Sequence, residues 1–598
     1  MHRWTVIRAW AAAGTSIGLV VACLTVVGND SVRTWRDALV LSVWFALLYG
    51  LALTFVGACM QWMFTSAGGD DERAMRHAAH TVAAYVFFAC WVAGNWVADR
   101  FIVADTIARH ALSSIAGGAA AFLVAGLGLR RLRIPRAAAR WIPRLVPGLL
   151  VLSLVPIFAF IHDRSEQAVA APHLQLKATD RKIFLIGIDG AEWNMLRPLL
   201  GASRLPNFQR LITEGTNSPL ATLLPTYSPI VWTTIATGVS EAKHGVHDFT
   251  EMRIPGLAHG VQRFLKGPVM VPQYVGVRET AKLSEMLGAV DLIPVTSTHR
   301  RVKALWNILS EVGVSVGVVN WFATWPAEPV NGYMVSDRNR VTYRDGGFPA
   351  LQVADGLTFP PGLGTSLEKS IAGERDELPS PESYFAADRN GKTPAPWHLG
   401  AFTGVYQADH FAATAALKLV QDRHVQFLAV YMAGSDVCSH YFMRPYPHLI
   451  ERYYEFLDRM VGKILAAADR DTAIILVSDH GWGFRPGEPF GHDHAPDGVF
   501  IAWGNGVLPG ATFTVKPTVF DITPTVLALM GLPPGRDMEG RVLSEMLTAD
   551  VAAQVADRRV DTYGPYRPPV LAEVAGGAKR PAQDAVAIER LRALGYVE

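Results

Sequence analysis

Residues 182–188 read KIFLIGI and run directly into Asp189-Gly190. Every second residue of a strand points to the same face. Ile183, Leu185 and Gly187 therefore oppose Phe184, Ile186 and Ile188, and both faces are apolar. Such a run reads as a strand covered on both sides. Val314–Asn320, Val425–Met432 and Ala473–Ser478 have the same character. Helical periodicity lies between them, as in Ile450, Tyr453, Tyr454, Leu457, Val461, Ile464 and Leu465. Buried strands alternating with helices predict an α/β domain, a mostly parallel sheet sandwiched by helices.

Polar residues follow these strands at once: Asp189, Asp436 and Asp479-His480. Open α/β sheets bind ligands beyond the carboxyl ends of their strands. Asp436 and His440 are four residues apart, so one helical turn presents both to the same ion. A second donor-rich stretch, His492-Asp493-His494, sits in a Gly-rich loop. Oxygen and nitrogen donors of this kind suit zinc, or manganese where carboxylates predominate. Singly, an Asp after a strand is a turn residue and a Gly-His-Asp-His stretch is a solvated loop. Their placement at corresponding strand ends is what argues for metal.

Residues 224–246 read LPTYSPIVWTTIATGVSEAKHGV. Pro229 suits the first helical position with Ser228 as cap. A hydroxyl there lies beside unsatisfied N–H groups and the positive helix end, a place fit for phosphate.

The chain has 598 residues, enough for at least two domains. Only 18% are charged, against about a quarter in soluble proteins, and the deficit falls in the first third. Five stretches lack Asp, Glu, Lys and Arg: Ala9–Gly28, Ala38–Phe64, Ala78–Ala98, Ala111–Leu129 and Leu145–Ile161. A spanning helix needs roughly 20 apolar residues, so about five transmembrane helices are expected. Buried core helices would not come five in succession, and a cleaved signal would explain only the first. Six arginines between Arg130 and Arg144, with no acidic residue between Asp105 and Asp163, put that loop in the cytoplasm. The part after Asp163 then faces outward, into the periplasm of a bacterial cell, as a multi-pass inner-membrane protein. The expected divisions are a membrane domain at 1–163, a linker at 164–180, a catalytic domain at 181–546 and a C-terminal extension at 547–598. Cap insertions are expected near 252–299 and 340–403. Four scattered cysteines imply no disulfide framework. No basic stripe with interleaved aromatics suggests a nucleic-acid polymer as partner.

FLIGIDG, PTYSPIVWTTIATG followed by KHGV, MAGSDVCSH, LVSDHGWG and HDHAPDGVFIAWG together resemble the type I phosphodiesterase/nucleotide pyrophosphatase family of the alkaline phosphatase superfamily. The resemblance runs from Lys182 to Met546. It implies an alkaline-phosphatase-like fold, two divalent cations, commonly zinc, and an attacking Ser or Thr hydroxyl. Carried over by position, Asp189, Ser228, Asp479 and His480 hold one metal, and Asp436, His440 and His494 the other. His494 is preferred to His492 because its spacing to Gly498 matches the family. Nucleotide pyrophosphatases carry a phosphate-binding Asn a few residues after the His-Gly pair. Here Phe249 stands in that place beside Asp248, and Lys243 or backbone amides are the candidate replacements. A sulfatase motif is absent, since Ser228 is followed directly by Pro229 with no Arg soon after.

The function expected is a membrane-anchored, metal-dependent phosphodiesterase acting on an extracytoplasmic phosphate ester through a phospho-serine. Second stands a phosphoethanolamine- or phosphoglycerol-type transferase acting on lipid or glycan. A catalytically inactive receptor or scaffold would lack ligands, and none of the seven positions is missing. Substrate identity and oligomeric state are not legible.

Overall fold

The computed structural model describes residues 2–29, 32, 34–64, 71–101, 120–122, 124–125, 141, 176–257, 260–262, 285, 288–338, 341–344, 348–351, 356–371, 379–386, 394–483, 496–556, 558–567, 584 and 588. The chain divides into two compact units, one of residues 1–168, 250–293 and 598, the other of residues 169–249 and 294–597.

In the first unit, helices His2–Gly28 and Trp35–Phe64 pack backbone to backbone. A Cβ on Gly14 would lie 2.3 Å from the Tyr49 carbonyl oxygen, and one on Gly18 2.3 Å from that of Phe45. Small residues at this spacing are what permit such close approach between apolar helices. A third helix, Asp71–Phe101, joins them through the Trp10 Nε1–His80 Nδ1 hydrogen bond at 3.2 Å. Among the described residues two helices are long and apolar enough to cross a membrane, Val6–Val26 and Trp35–Trp62. That corrects the expected count of five. The third predicted stretch lies inside Asp71–Phe101, whose ends bring in charge at Asp71, Glu72 and Arg73 and at Asp99 and Arg100. The fourth and fifth fall almost wholly outside the described residues. This unit also holds a small sheet of order β4-β3-β5, in which β3 is Thr250–Arg253, β4 Val261–Gln262 and β5 Asp291–Pro294.

The second unit is built on an eight-stranded sheet. Its strands are β1 (Lys182–Ile188), β2 (Thr216–Leu220), β6 (Val316–Val319), β7 (Gly332–Val335), β10 (Thr358–Phe359), β11 (Phe427–Met432), β12 (Thr472–Val477) and β13 (Gly498–Gly504), with the hairpin β8 (Val341–Arg344) and β9 (Phe348–Leu351) apart from it. The order is β10-β7-β6-β11-β1-β12-β13-β2. Strands β7, β6, β11, β1 and β12 run parallel. Strand β13 is antiparallel to both its neighbours, and β10 to β7. This is the mostly parallel sheet that the apolar runs predict.

Side chains alternate across the sheet and build two cores. Phe184, Ile186, Val430, Met432 and Leu476 face helices Trp193–Gly201, Pro206–Glu214, Pro396–Arg423 and Pro447–Ala466. Ile183, Leu185, Ala429, Tyr431 and Ile475 face helices Ser228–Thr237, Leu305–Glu311 and Ile522–Leu529. Gly187 is the gap in the apolar run that admits an indole: a Cβ there would lie 2.6 Å from the Trp232 ring. Register then decides the site. Ile188 pairs with Met432 and Gly187 with Val477, so β1, β11 and β12 end side by side.

Candidate functional site

Because these strands end in register, Asp189, the helix Gly434–Phe442 and the Asp479-His480 pair leave the sheet at one edge. Three carboxylates meet one imidazole there. His480 Nε2 lies 3.5 Å from Asp189 Oδ1, 3.7 Å from Asp436 Oδ1 and 3.5 Å from Asp479 Oδ2. All four side chains are 3% exposed or less. These separations exceed hydrogen-bonding range. His480 Nδ1 is 3.1 Å from the Gly481 carbonyl. A carbonyl only accepts, so that bond puts the proton on Nδ1 and turns the Nε2 lone pair toward the acids.

Each acid is held by its other oxygen. Asp189 Oδ2 accepts from Trp232 Nε1 at 3.0 Å and from the Tyr431 hydroxyl. Asp479 Oδ1 accepts from Gly190 N at 3.1 Å. Gly190 has φ +66°, and a Cβ there would lie 2.8 Å from Trp482 Nε1 and 3.0 Å from Asp436 Cα, so only glycine fits. The inward atoms, Asp189 Oδ1 and Asp479 Oδ2, are buried and accept no hydrogen bond. Burial, with the charges of Asp479 and Asp436, pushes the Asp189 carboxyl well above the usual carboxylate range. Burial, then Asp436, pushes Asp479 up to about 8. Orphaned buried acceptors beside an imidazole lone pair are the arrangement a divalent cation satisfies. Asp189, Asp479 and His480 each offer a ligand atom within 4.8 Å of the others. The donor set therefore fits a metal.

Asp436 Oδ2 also lies 3.6 Å from His440 Nε2, one turn along the same helix. The His440 side chain is 25% exposed, and its ring stands edge-on to Trp482 with centroids 4.6 Å apart. This pair is a second donor set. His494, with His492 and Asp493, lies outside the described residues.

Ser228 is 3% exposed and opens the helix Ser228–Thr237. Tyr227, one residue earlier than the Ser-Pro pattern suggests, is the cap. Trp232 is one turn further on, and residues four apart share a helical face. Its bond to Asp189 therefore turns the Ser228 face of the helix toward the cluster. His244 braces this helix: its Nδ1 accepts from Val246 N, so Nε2 donates to Thr234 Oγ1 at 3.2 Å.

Lys243 is placed elsewhere than the substrate contact expected of it. Its Nζ donates to the Asp537 carbonyl at 2.8 Å and pairs with Glu539 at 2.9 Å. Asp248 is buried, and its Oδ1 accepts from Phe249 N at 2.7 Å. Trp321 is core, edge-on to Trp232 at 5.3 Å. Cys438 is buried, and burial pushes its thiol up, which makes it inert filler.

Asp409 carries no signal in the sequence that marks it as functional. This residue of helix Pro396–Arg423 is 1% exposed. It accepts from Ala433 N at 3.0 Å, Gly434 N at 2.9 Å and the Tyr453 hydroxyl at 2.9 Å. It thus caps the helix that carries Asp436 and His440. Trp232 and Tyr431 were legible only as apolar core. Glu192, which accepts from Trp482 N at 3.1 Å, was also missed.

A family model described as type I phosphodiesterase / nucleotide pyrophosphatase matches residues 183–490, just over half of the chain. Among curated proteins none matches. Solved structures with some likeness include phosphonoacetate hydrolase from Sinorhizobium meliloti 1021, at 14% identity and TM-score 0.31 over 53% of this chain and 60% of that one. The chain thus spans less than two thirds of that protein's length. Alkaline phosphatase PafA gives 11% identity and TM-score 0.42 over 62% of this chain and 100% of that one. Murine ectonucleotide pyrophosphatase / phosphodiesterase 5 gives 11% and 0.36, over 62% and 100%.

Proposed function

The chain belongs to the type I phosphodiesterase / nucleotide pyrophosphatase family, and on that premise we propose that it is a membrane-anchored, metal-dependent phosphodiesterase with Ser228 as nucleophile. The observation that carries the reading is the convergence of Asp189, Asp436 and Asp479 on His480 Nε2, beside the helix that Ser228 opens. The described residues fit one divalent cation, and the family resemblance calls for a second. Asp189, Asp479 and His480, with the Ser228 hydroxyl, would hold one; Asp436 and His440, with His494, the other. Zinc suits the His-rich second set, and manganese is compatible with the acid-rich first. Bound there, the ions supply positive charge that lowers the hydroxyl pKa and offsets charge on the phosphoryl oxygens.

The chain's own groups do the rest. Trp232 and Tyr431 hold one oxygen of Asp189, so the other points inward. The Gly190 amide does the same for Asp479. Ser228 Oγ gives up its proton and attacks phosphorus in line, the ester P–O bond breaks, and the departing alkoxide takes up one proton, so the net transfer is from nucleophile to leaving group. The phospho-serine is then cleaved by water, which restores the hydroxyl and releases the phosphate monoester. Interception by an alcohol instead of water would make the enzyme a transferase.

Membrane anchoring is supported by the helix Trp35–Phe64. Leu39, Val43, Leu47, Leu51 and Phe55 are each more than half exposed and recur every four residues. Trp35 and Trp62 stand at the two ends, 64% and 85% exposed. The separation, roughly 40 Å at 1.5 Å per residue, matches a bilayer with aromatic belts. The six arginines between Arg130 and Arg144, with no acidic residue from there to Asp163, support a periplasmic catalytic unit.

The test is turnover of chromogenic phosphate monoesters, diesters and sulfates by purified chain, with metal content measured alongside. Diester cleavage that Ser228→Ala abolishes at unchanged metal content is expected. Equal turnover by that variant removes the nucleophile.

A further inference from the structure

We propose that a cavity of about 380 Å³ beside the phosphoryl centre is a subsite for an acidic, hydroxyl-bearing group of the substrate. The proposal deepens the phosphodiesterase reading and rests on it. Trp193, Arg197, Asn217, Ser218, Phe513 and Lys516 line the cavity.

Both walls continue into the backbone around His480. On one side Trp193 follows Glu192, whose carboxylate accepts from Trp482 N. On the other, Lys516 Nζ pairs with Asp497 Oδ2 at 2.5 Å. The residue before Asp497 is Pro496, whose carbonyl accepts from Gly481 N at 2.9 Å. Strand β2, which supplies Asn217 and Ser218, lies three places from β1 in the sheet. At about 4.8 Å per strand that is roughly 14 Å from the strand that ends in Asp189. Ser218 is level with Phe500, Val477 and Gly187 across the strands, so the cavity opens on the sheet edge that carries the acids.

The lining names the chemistry. Arg197 is exposed, and its guanidinium lies 5.7 Å from the Trp193 ring centroid. It makes no ion pair among the described residues. Asp497 answers Lys516, so Arg197 leaves a positive surplus. A guanidinium fork selects carboxylate or phosphate oxygens. The Trp193 indole N–H has no acceptor among the described residues. Two aromatic rings beside an amide and a hydroxyl suit the mixed apolar and hydroxyl surface of a sugar or polyol. An acidic sugar and an anionic polyol lipid headgroup share this chemistry.

The test uses the full chain in detergent or nanodiscs. Calorimetric titration compares D-glucuronate with D-glucose, and nanodiscs of phosphatidylglycerol are compared with phosphatidylcholine. Arg197→Ala and the double variant Arg197→Ala/Lys516→Gln are titrated in parallel. Both side chains are exposed, and an unchanged melting temperature certifies the fold. D-glucuronate is expected to bind at least tenfold more tightly than D-glucose, with the double variant losing that preference. Preference for phosphatidylglycerol discs lost in the double variant, without glucuronate binding, assigns the subsite to a lipid headgroup. Equal binding of glucose and glucuronate with no disc preference, or acidic binding that both variants retain, overturns the proposal. Failure of the phosphoryl centre is read separately, as absent chromogenic-ester turnover by the unmodified chain.

Discussion

The carboxylate of Asp409 receives the backbone N–H of Gly434 at 2.9 Å, and through it holds the first turn of the helix that carries Asp436 and His440. The same carboxylate takes the N–H of Ala433 and the hydroxyl of Tyr453. The cap residue itself, Ala433, has no side chain that could do so. Asp409→Ala leaves three buried donors without their acceptor. At about 1–3 kcal/mol for each orphaned group, less relaxation, a loss of about 3 kcal/mol of stability is expected. Asp409→Asn keeps one acceptor oxygen and is expected to lose about half as much. Metal affinity should fall with the alanine change and be partly restored with asparagine, read by metal titration beside urea unfolding. Loss of stability with metal affinity unchanged would reduce Asp409 to a fold residue.

Asp189 depends on a second such contact. Trp232→Phe keeps an aromatic ring in the core, removes the N–H to Asp189 Oδ2, and also withdraws the indole atoms that lie over Gly187. A hydrogen bond to a charged acceptor contributes about 1.5–3 kcal/mol. kcat/KM is therefore expected to drop roughly 10- to 100-fold, with a lower melting temperature from the space the smaller ring leaves. Tyr431→Phe removes the other donor to the same oxygen. The two together should cost more than the sum, since either alone leaves Asp189 one tether. Strict additivity in the double variant would count against a shared role.

What the sequence made legible follows from range. Strands β1, β11 and β12 are continuous apolar runs, and the acids after them are adjacent in sequence to the strands that place them. That is why Asp189, Asp436, Asp479 and His480, which the structure brings together, are legible as a group in the sequence. Asp409 and Trp232 act across long separations, from helices whose patterns read as plain core. Strand β2, TNSPL, has too much polar character to announce itself, and it is an edge strand. The partners of Lys243, Asp537 and Glu539, were not legible because they lie nearly 300 residues on. Of the five expected spans, two are met among the described residues, and the fourth and fifth stretches fall almost wholly outside them.

Removing metal should make the fold sensitive to alkali. In metal-free protein, burial and Asp436 push Asp479 up to about 8, and Asp189 is raised well above its usual range. An unfolded Asp titrates near 3.9. A carboxyl whose folded pKa is raised binds its proton more tightly when folded. Its contribution is complete below the unfolded value and is lost as pH rises toward 8. The chelated protein is therefore expected to melt at progressively lower temperature from pH 5 to pH 8, by at most about 1.4 kcal/mol per pH unit per proton. Metal-loaded protein holds these acids ionised and should lack that slope. Calorimetric scans at four pH values, with and without chelator, compare the two. Parallel curves would remove the metal from this cluster.

The two histidines differ in exposure, and that predicts which can be replaced from solution. His440 is 25% exposed and packs edge-on to Trp482, whereas His480 is fully buried with three acids around it. His440→Gly opens a notch that reaches solvent, so added imidazole can enter and offer the lost nitrogen. The variant is expected to fold normally, to lose at least 100-fold in turnover, and to regain part of it in millimolar imidazole. His480→Gly leaves a sealed, acid-lined hole. A neutral ring would have to be desolvated to reach it, and the three carboxylates would still repel one another without a bound ion. That variant should be unstable and show no rescue. Rescue is read as the slope of rate against imidazole concentration at constant pH and ionic strength. A positive slope for His480→Gly, or none for His440→Gly, would invert the assignment of the open and closed ends of the site.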